Sequence, residues 1–268
     1  MQISSALTLI GLLVGQTVAH GLPTLICDGN GTCMPGLTVM DGVPRDCPSA
    51  ACGAQKDTSI MRDDEMDGSK ASALGRTNGG GPVDPATVIS AYMGLDNSNS
   101  KRGLLARGLL AMARLRRDIT NDIASAFTNA GGTILNGLQD FASGGNIGIV
   151  KESGNQKYAG QGASKGLPIP NENGIITVNQ DGAGPLVADV DFTSGGNDPG
   201  AFEPATVVKN IQGVAGFSTS SAKDYEIQIQ VPNKKCHGTV RSVPNVCVCR
   251  IRNQAISGPF GGAVAFTN

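Results

Sequence analysis

The residues best suited to do chemistry in this 268-residue chain are two histidines, seven cysteines and a run of acids ending at Glu65. His20 follows Ala19, the last small residue of an apolar leader. A cut after Ala19 makes His20 the first residue. One residue then holds a free α-amine beside an imidazole, a pair able to chelate a metal. The other histidine, His237, lies between Cys236 and Gly238. Copper(II) favours nitrogen ligands in near-square geometry. The amine and the His20 and His237 imidazoles make the smallest such set, on condition that the Cys236 loop folds beside the start of the mature chain. The plainer expectation binds no cofactor: His20 is simply the first residue, and His237 faces solvent from a loop.

The cysteines form two clusters at opposite ends of the chain: Cys27, Cys33, Cys47 and Cys52, then Cys236, Cys247 and Cys249. Outside the cell, disulfides are their default state. Pairings Cys27–Cys33, Cys47–Cys52 and Cys236–Cys247 would close short loops, but spacing leaves the connectivity open. An odd number leaves one thiol over. Cys249 is the candidate, because it stands two residues from Cys247 in a strand-like run and shares its face. A metal site among the cysteines is disfavoured, since Cys247 and Cys249 lack a second pair at zinc spacing.

Asp57, Arg62, Asp63, Asp64 and Glu65 read in two ways. One is a carboxylate site for a cation or for acid–base work. The favoured reading is an arginine–carboxylate network holding a long loop on the core. Calcium loops space their oxygens at alternate positions around a glycine hinge, whereas Asp63, Asp64 and Glu65 are contiguous. No G-x-S-x-G elbow supports a serine hydrolase, and no Walker-type glycine loop precedes a Lys-Ser/Thr. No carboxylate pair is marked for glycoside hydrolysis.

These residues need elements to hold them. Residues 1–19 read as a secretory signal peptide with a small-x-small end at Thr17 and Ala19, although no Lys or Arg opens it. No later segment offers the roughly 18 or more uninterrupted apolar residues of a bilayer span. The expected address is therefore secreted, extracellular or at the cell surface. The 38 glycines and 14 prolines, with no tryptophan, favour short strands joined by turns over long helices. A formal charge of −1 gives no general attraction to nucleic acid. Leu186, Ala188, Val190 and Phe192 alternate with polar or outward residues after the turn 181–185, and Tyr225 to Val231 alternates more cleanly still. The stretch 245–253 follows the same rule, and SGPFGGAVAF supplies a turn and a last strand. Without any βαβ rhythm, this predicts a mainly β fold, an antiparallel sandwich of immunoglobulin-like type formed by residues 20–96 and 174–268.

Residues 97–173 differ in texture and read as a helical, partly flexible insertion. After the dibasic Lys101-Arg102, a site suited to a processing protease, residues 103–123 carry Leu105, Leu109 and Met112 on one helical face and Arg107, Arg114 and Arg117 on the other. Such a helix can lie on an anionic membrane. The favoured alternative is loose packing on the domain. No aromatics are interleaved to stack on bases. The sequon Asn30-Gly31-Thr32 marks a surface loop and a glycosylation acceptor. A monomer is the expected state.

The blocks RDC, DTSIMRDDE, GRTNGGGPVD, VNQDGAGP, C-x-G-T and NVC through GPFGGA, in this order, resemble the secreted appressorium-associated virulence factors of pathogenic fungi, called Egh-like or MAS-like proteins. The resemblance covers the first third and the last hundred residues or so, not residues 97–173. It implies a cell-surface or extracellular factor made during host penetration, with a host surface or wall polysaccharide as partner and no assigned reaction. The family pattern implies cysteines where this chain has Leu74, Ala188, Ala263 and Ile251, and a valine where it has Cys249; whole disulfides are then missing. A mature start at histidine on a secreted β-sandwich is also similar to lytic polysaccharide monooxygenases. That resemblance implies a second histidine shortly before DGAGP, where this chain has Asn179 and Gln180.

Overall fold

The computed structural model describes residues 21–45, 56–67, 70–95, 151–214 and 224–268. The leader, His20, Cys47, Cys52, Lys101-Arg102 and the 103–123 helix with Leu105, Arg107, Leu109, Met112, Arg114 and Arg117 lie outside the described residues. In chain order the elements are β1 (Gly21–Cys27), β2 (Cys33–Pro35), β3 (Ser59–Ile60), α1 (Asp63–Met66), β4 (Arg76–Thr77), β5 (Gly81–Pro82) and α2 (Pro85–Tyr92). Two short helices follow, α3 (Gly154–Tyr158) and α4 (Gly162–Lys165). The remaining strands are β6 (Ile175–Gly182), β7 (Leu186–Asp191), β8 (Phe202–Lys209), β9 (Asp224–Gln230), β10 (Gly238–Val240), β11 (Val243–Asn253) and β12 (Phe260–Phe266). Among the described residues no helix is long and apolar enough to cross a membrane.

The strands make one antiparallel sheet in the order β2-β1-β6-β9-β8-β7-β11-β12-β3-β4-β5, with β10 on the flank of β11. The alternating segments fall where their patterns place them, as β7, β9 and β11. The sheet is curled, and β8 is the strand that turns it. Its first half pairs with β7 through Phe202–Ala205, and its second half pairs with β9 through Thr206–Lys209. Ile26, Ile176, Val178, Ile227 and Ile229 from one half thus share a core with Val190, Cys249, Ile251, Val264 and Phe266 from the other.

The curl closes where β1 comes against β12. Leu37 N donates to Ala263 O at 2.7 Å. A Cβ on Gly262 would stand 2.7 Å from Pro23 Cδ, and one on Gly36 would stand 2.0 Å from the Pro23 carbonyl oxygen, so only glycine fits at this seam.

β1 occupies Gly21–Cys27, a stretch in which the sequence shows no alternation. Its Pro23 coincides with a register shift against β6, where a missing N–H costs no regular ladder bond. α2 is a short helix announced only by its cap: the Asp84 carboxylate accepts from Ala86 N, and Pro85 opens the first turn. Residues 151–173 are tied to the domain. Lys151 bridges Pro44, and the Asp41 carboxylate accepts from Asn155 N and Gln156 N at the start of α3.

Cys27–Cys33 closes the β1–β2 hairpin, and Cys236–Cys247 ties the approach to β10 onto β11. Ala188 stands directly opposite Ile251, and both are buried, as are Leu74 and Ala263. Apolar side chains therefore fill the positions where the family pattern implies cysteines. Cys249 is free and fully buried between its cross-strand partners Val190 and Val264. Burial first, then the charge of Asp189, pushes its thiol well above the ordinary range, and a buried neutral thiol is inert. Native protein held at pH 8 with iodoacetamide is expected to stay unmodified at Cys249. The same reagent in denaturant modifies it fully, as read by peptide mass mapping.

Candidate functional site

The end of the sheet where β1 begins gathers polar side chains from four strands. Gly21 pairs with Gly182, Leu22 with Asp181, and Asp181 in turn with Asp224 on β9. Gln180 and Asn253 face the core here, and both are buried. A Cβ on Gly21 would meet Gln180 Nε2 at 3.1 Å and Asn253 Nδ2 at 3.7 Å, so the first residue of β1 lies directly against the two amides. Asn253 Oδ1 accepts from Ala255 N and Phe260 N and fixes the 254–259 loop. Gln180 Nε2 donates to the Asp181 carbonyl, while its Oε1 has no hydrogen-bond partner among the described residues. Thr24 Oγ1 donates to Asp224 Oδ1 at 3.2 Å. The arrangement offers amides and carboxylates for hydrogen bonding beside the start of β1.

The acids of the DTSIMRDDE block lie next to this end, on the cover that β3, α1 and β4 lay over β11 and β12. Arg252 Nη1 donates to Asp63 at 2.7 Å and to the Met61 carbonyl at 3.2 Å. Glu65 receives Arg76 Nε at 2.6 Å and Arg62 Nη1 at 3.0 Å. These bonds, Arg76 first and then Arg62 against an opposing effect of burial, hold the Glu65 carboxyl below its ordinary range. Arg250 reaches Asp189 at 3.2 Å and the Ala73 carbonyl at 3.0 Å, with its guanidinium 4.2 Å from the Phe202 ring centre. Asp57, fully buried, accepts two bonds from Arg45, whose Nε also donates to Glu152. Burial alone would lower the Arg45 pKa, but the hydrogen bonds and charge of Asp57, with Glu152 behind them, raise it. Five carboxylates are thus committed to guanidinium partners. An ionised, doubly bonded Glu65 is a poor proton donor. This is the loop-holding network that the contiguous acids suggested.

His237 is not brought to the start of β1. Its backbone N donates to Phe192 O just past the far end of β7, whereas Gly21 pairs beside the turn that leads into Leu186. Six residues of extended strand separate the two, about 20 Å. The Cys236–Cys247 bond fixes that loop where it is. His237 is exposed. Asn30 is exposed at the tip of the β1–β2 hairpin, where Asp28 Oδ1 accepts from Asn30 N and Thr32 N.

The chain matches the model of the Egh16-like virulence factor family over residues 18–261. It belongs to the Egh16-like family. A curated relative, the appressoria-specific virulence factor GAS2 of Pyricularia oryzae, is 42% identical over 275 aligned residues, which cover 100% of this chain and 89% of the relative. The appressoria-specific virulence factor GAS1 of the same fungus is 34% identical over 91 residues, 33% of this chain and 35% of that protein. No solved structure matches the chain. The blocks that carried the resemblance are thus assembled on one another in this Egh16-like chain: DTSIM pairs with GPFGG through Ser59–Gly261 and Ile60–Phe260, and GRT pairs with DTSIM through Ser59–Thr77.

Sequence reasoning missed Gln180, Asn253 and Arg45 as organising residues. Arg45 and Glu152 are 107 residues apart, and Arg252 and Asp63 are 189 apart. No local pattern announces such partners. Asp57→Asn would leave the Arg45 guanidinium buried beside a neutral amide. It is expected to cost about 3–5 kcal/mol in urea unfolding, against less than about 1 kcal/mol for Lys209→Ala, which removes the exposed pair with Glu226. His237→Ala is expected to leave any Cu(II) affinity of the mature protein within about two-fold, by calorimetry. A ten-fold loss would place His237 near the chain start, against this geometry.

Proposed function

We propose that this chain is a secreted fungal virulence factor that acts at the cell surface or outside the cell during host penetration, by binding a surface rather than by catalysing a reaction. The observation that carries the proposal is the match along the full chain to GAS2, whose name makes it an appressoria-specific virulence factor. An apolar leader at residues 1–19 supports export. The exposed Asn30 hairpin tip supports glycan attachment on the way out. The two disulfides support an oxidising compartment. The pairing of Asp57, Asp63, Glu65, Glu152 and Asp189 with arginines supports a binding role, because it commits those carboxylates to holding the fold.

The test is complementation. In a Pyricularia oryzae strain lacking GAS2, this chain is expected to restore host penetration, and a version without residues 2–19 is expected to fail. Mass spectrometry of the culture fluid should find a protein beginning at His20. A protein retained in the cell with its leader intact would overturn the proposal.

A further inference from the structure

Between β9 and β11 the chain shows a strict alternation that the fold alone does not use. Cys236, Gly238 and Val240 are buried, whereas Lys235, His237, Thr239 and Arg241 are exposed. The buried set is firmly held. Cys236 is bonded to Cys247, His237 N and Gly238 N both donate to Phe192 O, and Gly238 lies so close to Val246 O that a Cβ would stand 2.3 Å away. The exposed set therefore lies along one short segment: Lys235 and His237 precede β10, Thr239 is in it, and Arg241 is in the turn that follows.

Three members of that row are basic, and none is spent on the protein. Among the described residues Arg241 is the one arginine without a carboxylate, since Arg45, Arg62, Arg76, Arg250 and Arg252 each have one, while exposed lysines such as Lys70 and Lys151 are also unpaired. Lys234, next to the row, is taken by Glu203. Among the described residues the side chains of Lys235, His237 and Arg241 make no hydrogen bond or ion pair. Arg241 also sits at the two-residue turn between Val240 and Val243 with φ at 52°. That left-handed position is one where Gly, Asn or Asp would cost less. An arginine there gives up local stability and gains no contact within the chain.

We infer that this row is a binding strip for a linear polyanion, an extracellular acidic polysaccharide whose carboxylates repeat along its length. Basic side chains spread over seven positions suit charges repeated along a polymer better than a single phosphate. No aromatic stands in the row to stack on bases or on a neutral sugar. The exposed large apolar residues, Leu95, Ile169, Val208, Val214 and Ile256, all lie outside it, so nothing in the row inserts into a bilayer. The inference rests on the extracellular reading given above and deepens it by naming a partner class.

The experiment titrates the full secreted protein with polygalacturonate by calorimetry at low salt, with fully methyl-esterified pectin as the neutral counterpart. Lys235→Gln combined with Arg241→Asn removes two charges and keeps a residue that tolerates the left-handed turn. Lys70→Gln combined with Lys151→Gln removes the same charge from exposed sites elsewhere. The row variant is expected to bind polygalacturonate at least ten-fold more weakly with an unchanged melting temperature, and the control variant within two-fold of the parent. Equal losses in both variants would overturn the strip, leaving only net charge. So would binding to esterified pectin as strong as to polygalacturonate, or phosphatidylserine vesicles bound in preference to it. These outcomes leave the complementation result untouched, so failure of the strip and failure of the secreted-factor reading are told apart.

Discussion

Where β1 meets β12 the Pro23 ring leaves no room for a side chain at Gly262, and the Pro23 carbonyl leaves none at Gly36, just after β2. With any larger residue at either position the sheet would remain open along this line. Its inner face, from Ile26 round to Phe266, would then lose the wall that buries it. The seam also sets the order of the surroundings. β12 held against β1 places Phe260 beside Gly21 and Asn253, and β3 is then laid along the outside of β12. The amides at the chain start and the charged cover beside them are both consequences of that one closure.

The cover depends on a different physics. Its short strands contribute few ladder bonds, and its apolar cluster is only Met61, Met66 and Ala71. What fixes it is a set of arginines reaching from β11 and from the cover itself to carboxylates and carbonyls. Paired guanidinium groups in partly buried places resist salt better than exposed pairs, because screening acts mainly through solvent. Removing one partner is costly for the same reason, since the remaining charge is left out of water.

The legible part of the fold was the part with a period. β7 and β9 bury alternate residues, so Val190 and Ile229 could be read inward from spacing alone, whereas β11 alternates in sequence but is buried without a break from Val246 to Ile251. β1 was illegible because Pro23 and flanking small residues resemble a turn, and because its strand character comes from being clasped between β2 and β6. β8 exposes much of its length and contains Pro204, so its alternation is blurred; its role is to change partners midway. The spare cysteine could be reasoned from an odd count and a shared face. Gln180 and Asn253 could not, since an amide becomes organising only when the closure of the sheet seals it from solvent.

Both disulfides among the described residues lie at the end of the sheet away from Gly21. One joins the last residue of β1 to the first of β2, and the other ties the approach to β10 onto the early part of β11. Among the described residues the opposite end, with Gly182, Asn253 and the 254–259 loop, is held by hydrogen bonds, ion pairs and packing. Among the described residues the covalent ties thus sit at one end of the strands. Local opening starts most easily where cross-links are absent, which among the described residues is the end where β1 begins.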